Sequence, residues 1–268
     1  MMCFSISPGE ALSNLKDEDM ISAFHLAWFL TANRLRWPSA LLVRWGQFAL
    51  QGAVFGAVIA QLVEGVPHFQ IYYVVGLLAI AIYNAGMLAG SELLSDAQYG
   101  VEDYFLALPT SRRILYSGRI LGAGLMGLLF VGPPALAVLV LAGQWNLPVA
   151  LYLILLICGI SAGLAGIGLA FAAAFRQYEA FLMASSFVDA FVIRLSAALY
   201  PLAAMPVLYA AVAVYNPVSH IAWLLQPLFD IASPEVSSLG SVLLIAWIIA
   251  ALISGDLVFT YRLEGRRR

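Results

Sequence analysis

The run from Val149 to Ala174, V-A-L-Y-L-I-L-L-I-C-G-I-S-A-G-L-A-G-I-G-L-A-F-A-A-A, carries no charge and outlasts the about 20 residues a helix needs to cross a bilayer. Comparable runs fall at Ala40 to Leu62, Gln70 to Leu94, Ile120 to Ala142, Phe181 to Leu199 and Ser238 to Tyr261. The sequence therefore predicts an all-α membrane protein with six transmembrane helices. Composition agrees: 63% of residues are hydrophobic and 10% charged, against about 45–50% and about 25% in soluble domains. Between Leu199 and Ser238 a further apolar stretch is broken by Pro201, Pro206, Pro217 and Pro227. No single helix can run through it, so residues 200–236 are expected to form short re-entrant or interfacial helices.

Net charge is −2, which gives no sign of a nucleic-acid partner; the positions of the charges are more informative. Lys16, Arg34 and Arg36 precede the first run, and Arg112, Arg113 and Arg119 lie at the second connection. Arg176 lies at the fourth, and Arg262 with Arg266, Arg267 and Arg268 close the chain. The alternate connections contain no Lys or Arg. Because basic residues are retained on the inside, both termini are expected in the cytoplasm. The first twenty residues lack the apolar core of a signal peptide. Cys3 and Cys158 offer neither a disulfide framework nor a metal site.

Residues 1–37 are expected to form a cytoplasmic tail and an amphipathic helix, followed by the membrane domain over 38–268. In that helix, Ser22, His25, Asn33 and Arg36 make one stripe and Ile21, Phe24, Trp28 and Leu35 another. This suits a helix lying in the membrane interface, the alternative being an ordinary helix packed on the bundle.

Two signatures of soluble enzymes occur inside predicted spans. Gly122-Ala123-Gly124-Leu125-Met126-Gly127 fits a dinucleotide fingerprint, and Gly159-Ile160-Ser161-Ala162-Gly163 fits a nucleophile elbow. Neither follows a strand, as its chemistry requires. Close helix packing in lipid explains them better, together with the four-residue glycine spacings at Gly52 and Gly56, Gly86 and Gly90, Gly118 and Gly122, and Gly159 and Gly163. His25, His68 and His220 are too scattered for a ligand set. The sole lysine, Lys16, is not in a P-loop. A membrane-embedded enzyme would need convergent His, Asp or Glu on facing spans, and few are available.

Charges within predicted spans cost about 2.5–3.5 kcal/mol each on insertion scales. Arg44, Asp189 and Arg194 are therefore candidates for a substrate path or a subunit interface. Arg44, near the inner end of its run, can also snorkel. Asp189 and Arg194 stand about 140° apart around a helix and should not pair with each other.

The most specific stretch is Ser91 to Arg119, S-E-L-L-S-D-A-Q-Y-G-V-E-D-Y-F-L-A-L-P-T-S-R-R-I-L-Y-S-G-R. It resembles the permease subunits of type-two ABC exporters in the positions of Glu92, Gly100, Glu102, Leu106, Pro109, Arg112, Gly118 and Arg119. Pro201, Pro206, Asn216 and Pro217 resemble the same family's segment before its last span. One departure is Ser95-Asp96-Ala97-Gln98-Tyr99, which replaces a strongly charged run.

The resemblance implies a coupling segment over about 97–110 that docks on a separate ATPase subunit. Tyr104, Phe105 and Leu108 would be its apolar anchors and Glu102 and Asp103 its polar rim, with Thr110 or Ser111 capping the next helix. The alternative is a connecting loop whose aromatics rest on the membrane surface. The resemblance further implies no cofactor on this chain, ATP and Mg in the partner, two ATPase copies, a second permease copy (most simply a homodimer), and a multi-pass place in the cell (inner) membrane. Drug-like amphiphiles, lipids and lipid-linked glycans all remain open as substrates, as do the competing classes of ATP-independent carrier or channel.

Overall fold

The computed structural model describes residues 22–32, 35, 38–62, 69–107, 111–175, 177–231 and 238–265, and among them every regular element is a helix. Helix α1 covers 22–32. Helix α2 (Pro38–Leu50) passes through a π-helical turn, Gln51–Phe55, into α3 (Gly56–Leu62). Then come α4 (Phe69–Gln98), α5 (Val101–Ala107), α6 (Arg112–Leu141), α7 (Leu147–Ala173), α8 (Tyr178–Arg194), α9 (Val207–Ala213), α10 (Pro217–Leu225) and α11 (Ser238–Gly265).

Among the described residues, five stretches are long and apolar enough to cross a membrane: Pro38–Gln61, Phe69–Gln98, Arg112–Leu141, Leu147–Ala173 and Gly240–Phe259. Helix α9 and the Pro217–Phe229 helix would together make a sixth, but they are bent by 78° to each other. The span expected from Phe181 to Leu199 is shorter than its apolar run, because α8 has 17 residues and ends at Arg194. Side-chain bonds take the backbone over there. Asn216 Nδ2 donates to the Val192 carbonyl (2.7 Å), the Ala197 N–H donates to Ser219 Oγ (2.8 Å), and the Tyr72 hydroxyl donates to the Ala197 carbonyl (2.8 Å). Arg194 is therefore not a mid-span charge; it sits in the last turn of α8, where a cation suits the helix dipole.

Helix α7 is the hub, packed against α4, α6 and α11. Lipid tails are as apolar as leucine, so close contact between helices has to come from small residues and interhelical hydrogen bonds. A Cβ on Gly90 of α4 would overlap the Gly168 carbonyl of α7, and one on Gly166 would overlap the Ala251 carbonyl of α11. The two misleading motifs meet in one such contact, since Gly127 of α6 abuts the Ser161 side chain of α7, and Ser161 Oγ donates to the Ile82 carbonyl of α4 (3.4 Å). The other expected glycines divide. Gly52 and Gly56 face α4, Gly86 faces α7, Gly118 and Gly122 face Leu26 and Ala27 of α1, and Gly163 faces Ile248 of α11. A Cβ on Gly159 would meet nothing within 4 Å among the described residues.

Two apolar clusters stack along the bundle. One gathers Leu78, Ile82, Leu139, Leu153, Ile157 and Leu225; the other gathers Leu93, Leu94, Phe105, Leu115, Phe181 and Phe259 at the charged end. Only 11% of the apolar window of Pro38–Gln61 is buried, against 61% for α4, so α2 is a peripheral helix. It is bolted to α6 at a proline pair. Pro133 has no N–H for the Leu129 carbonyl, and Trp45 Nε1 donates to that carbonyl instead (3.2 Å).

Trp45→Phe removes this donor while keeping the ring, and a loss of about 1 kcal/mol is expected in detergent thermal unfolding. Gly166→Val should cost on the order of 3 kcal/mol by overpacking. Gly159→Ala should change stability by no more than about 0.5 kcal/mol.

Candidate functional site

Helices α4 and α6 have 30 residues each, about 45 Å at 1.5 Å per residue, whereas the hydrocarbon is about 30 Å thick. Their excess gathers at one end. Helix α4 runs on past Leu94, where its apolar run was expected to end, as far as Gln98, and α6 starts at Arg112, well before the apolar run at Ile120. Paired outside the apolar layer, these ends form a platform for the connection between them.

That connection is built from local chemistry. Gly100, at φ +73°, takes the left-handed conformation that turns the chain out of α4. Helix α5 follows as a single short helix, and Ser111 caps α6 by accepting the Ile114 N–H. Thr110, the other expected cap, lies outside the described residues with Leu108 and Pro109. Phe105, expected to point at a partner, is instead turned inward. It is 8% exposed and packs with Leu93, Leu94 and Leu115, because this aromatic ring can reach the apolar end of its own bundle. Val101, Asp103 and Ala107 of α5 are exposed; the side chains of Glu102, Tyr104 and Leu106 lie outside the described set.

Arg119 is the main electrostatic feature of this corner. Its Nη2 donates to Asp96 Oδ2 at 2.9 Å, with the side chains 7% and 24% exposed, and its guanidinium carbon stands 6.0 Å from the Phe105 ring centre. One cation thus joins the end of α4, the face of α5 and the start of α6. The sequence pointed to Arg119 through its motif but passed over Asp96, whose only signal was its place in the atypical run. Glu92 lies within α4, and Gly118 packs on Leu26.

A second polar region lies within the spans. Arg44 lies over the Phe130 ring, 4.4 Å from its centre, and shares a cavity of about 530 Å³ with Gln47, Gln51, Tyr73, Asn84 and Ile193. A neighbouring groove of about 770 Å³ runs from Ser39 to Phe130 and also includes Arg44 and Gln47. Asp189 is elsewhere: it accepts a hydrogen bond from the Tyr83 hydroxyl at 3.2 Å. The three charges singled out in the sequence therefore occupy three separate places. Gln47, Gln51 and Asn84 were missed, because uncharged amides barely interrupt an apolar run.

Past α8, Pro201 precedes a 3₁₀ turn, Leu202–Ala204, and Pro206 opens α9. Asn216 caps α10 by accepting the Val218 N–H (2.9 Å), and Pro217 takes its first position. His220, buried on α10, stacks edge-on against Trp223.

Several apolar membrane-length helices around a packed hub define a multi-pass membrane protein. The ABC-2 type transporter family model matches residues 22–228, and the chain belongs to that family. It is thus a transporter permease, of a kind that works with ABC ATPase partners. No curated protein matches the chain.

Asn216→Ala should release both the α10 cap and the Val192 carbonyl, lowering stability by roughly 1–2 kcal/mol. Tyr83→Phe should leave the fold within roughly 0.6 kcal/mol, the average measured for membrane hydrogen bonds. Thermal unfolding in detergent reads both.

Proposed function

We propose that the chain is the permease subunit of an ATP-driven exporter in the cell (inner) membrane, with both termini cytoplasmic. Two copies, assembled with two copies of an ABC ATPase subunit, move a drug-like, lipid or lipid-linked glycan substrate outward. ATP is hydrolysed, with Mg, in the partner. The observation that carries this reading is α5, a short helix that joins the ends of two 30-residue helices and leaves Val101, Asp103 and Ala107 exposed. A short helix so mounted can receive a push from a soluble partner without unfolding the bundle. The apolar anchor on the inner side, Phe105, keeps it attached to the permease.

The substrate path follows the cavity beside α2. Its lining combines Arg44, Gln47, Gln51 and Asn84 with Phe48, Leu77, Ile80 and Val131, which suits a molecule with a polar and an apolar part. A second permease copy would cover α2 and the exposed Met183, Phe187 and Phe191 of α8. Helix α1 packs Ala23 and Ala27 inward and leaves Phe24, Trp28 and Leu35 exposed, which supports a place in the inner membrane interface. The 78° bend between α9 and the Pro217–Phe229 helix supports a re-entrant segment at the outer surface.

The test is whether a P-loop ATPase is encoded beside this chain and co-purifies with it. Val101→Asp with Asp103→Arg should cut recovery of the ATPase about tenfold, the result of losing about 1.4 kcal/mol of binding, with the permease still folded. Recovery of the chain alone, with transport indifferent to ATP, would reject the reading in favour of a carrier.

A further inference from the structure

The docking face of α5 cannot by itself move the membrane helices, because α5 is short and is flanked on one side by a glycine turn. Among the described side chains, Phe105 and Arg119 join it to the bundle. Phe105 inserts between α4 and α6 among Leu93, Leu94 and Leu115, and Arg119 lies against that ring while bonded to Asp96. The ion pair crosses from the last turn of α4 to the early turns of α6. Arg119 is more deeply buried than its partner carboxylate, and a buried pair of this kind sets geometry more than it adds stability. The planar guanidinium also presents a flat face to an aromatic ring, which an ammonium does not.

We infer that Arg119 is the positioning residue that ties α5 to α6: held by Asp96 and laid against Phe105, it makes α4, α5 and α6 move as one body when the docking helix is displaced. This rests on the docking role proposed above for α5. Without the pair, Phe105 would slide against Leu115 and a push on α5 would be absorbed at the corner. Further along α6, Trp45 holds the Leu129 carbonyl and Arg44 covers Phe130, so a displacement of α6 reaches α2 and the cavity lined by Arg44, Gln47 and Phe130.

The experiment compares hydrogen–deuterium exchange over 101–107 and 112–122 in the complete complex in nanodiscs, nucleotide-free and trapped with ADP and vanadate. In the wild type, both segments should change on trapping. In Arg119→Gln and in Asp96→Asn, with the ATPase subunit still bound and thermal stability matched, the change over 101–107 should persist while that over 112–122 falls by at least half. Should a neutral variant fail to assemble, Arg119→Lys keeps the charge, loses the flat face and should still weaken the response of α6. A full response of α6 in the assembled variants overturns the inference and leaves the docking role standing. A wild-type complex whose 101–107 segment ignores trapping overturns both.

Discussion

Everything in this bundle depends on backbones approaching one another where no water is present to drive them together. Helix α7 achieves this with glycine and serine, placing Gly168 and Gly166 against carbonyls or backbone of α4 and α11 and Ser161 against Gly127 of α6. Each close approach fixes the register of a helix pair, since a slide of one residue would bring a side chain to a point where only a hydrogen fits. A leucine-lined interface in lipid would have no such preference.

With the register fixed, the unequal lengths of the helices acquire a consequence. Helices α4 and α6, at 30 residues each, are longer than the hydrocarbon is thick, and Asp96, Arg112, Arg113 and Arg119 gather at their joined ends. The polar corner is ordered by the Ser111 hydroxyl, which accepts the Ile114 N–H, and by the Asp96–Arg119 pair. Elsewhere in the bundle, order comes from side chains that replace lost helical bonds. Trp45 serves the carbonyl freed by Pro133, and Asn216, Ser219 and Tyr72 close the chain around the end of α8. In both places a polar side chain supplies what the backbone alone cannot.

The apolar runs located five of the spanning stretches within a few residues on the apolar side, because hydropathy reports where a helix can lie in hydrocarbon. Their charged ends were misjudged for the same reason. A helix continues past the membrane when its polar turns are capped and packed, as α4 does to Gln98 and α6 from Arg112, and hydropathy is blind to this. The end of α8 at Arg194 was invisible because residues more than twenty positions away supply the bonds that stop it. Of the candidate site, the Ser91 to Arg119 pattern made the corner legible. The inward turn of Phe105 was not, since an aromatic in a short amphipathic stretch looks the same whether its apolar neighbour is a partner or its own bundle.

The sequence by itself determined the solvent of this protein, the approximate places of its membrane helices and the segment that resembles a docking element, because these follow from composition and short-range pattern. The tertiary structure alone decided which glycines meet, that Asp96 is the mate of Arg119, that Asp189 faces Tyr83, and that Arg44 shares a cavity with Asn84. The physical reason is range. Residue type and spacing act within a few turns of one helix, whereas each of these contacts joins separate helices whose register is set only when the small residues around α7 close.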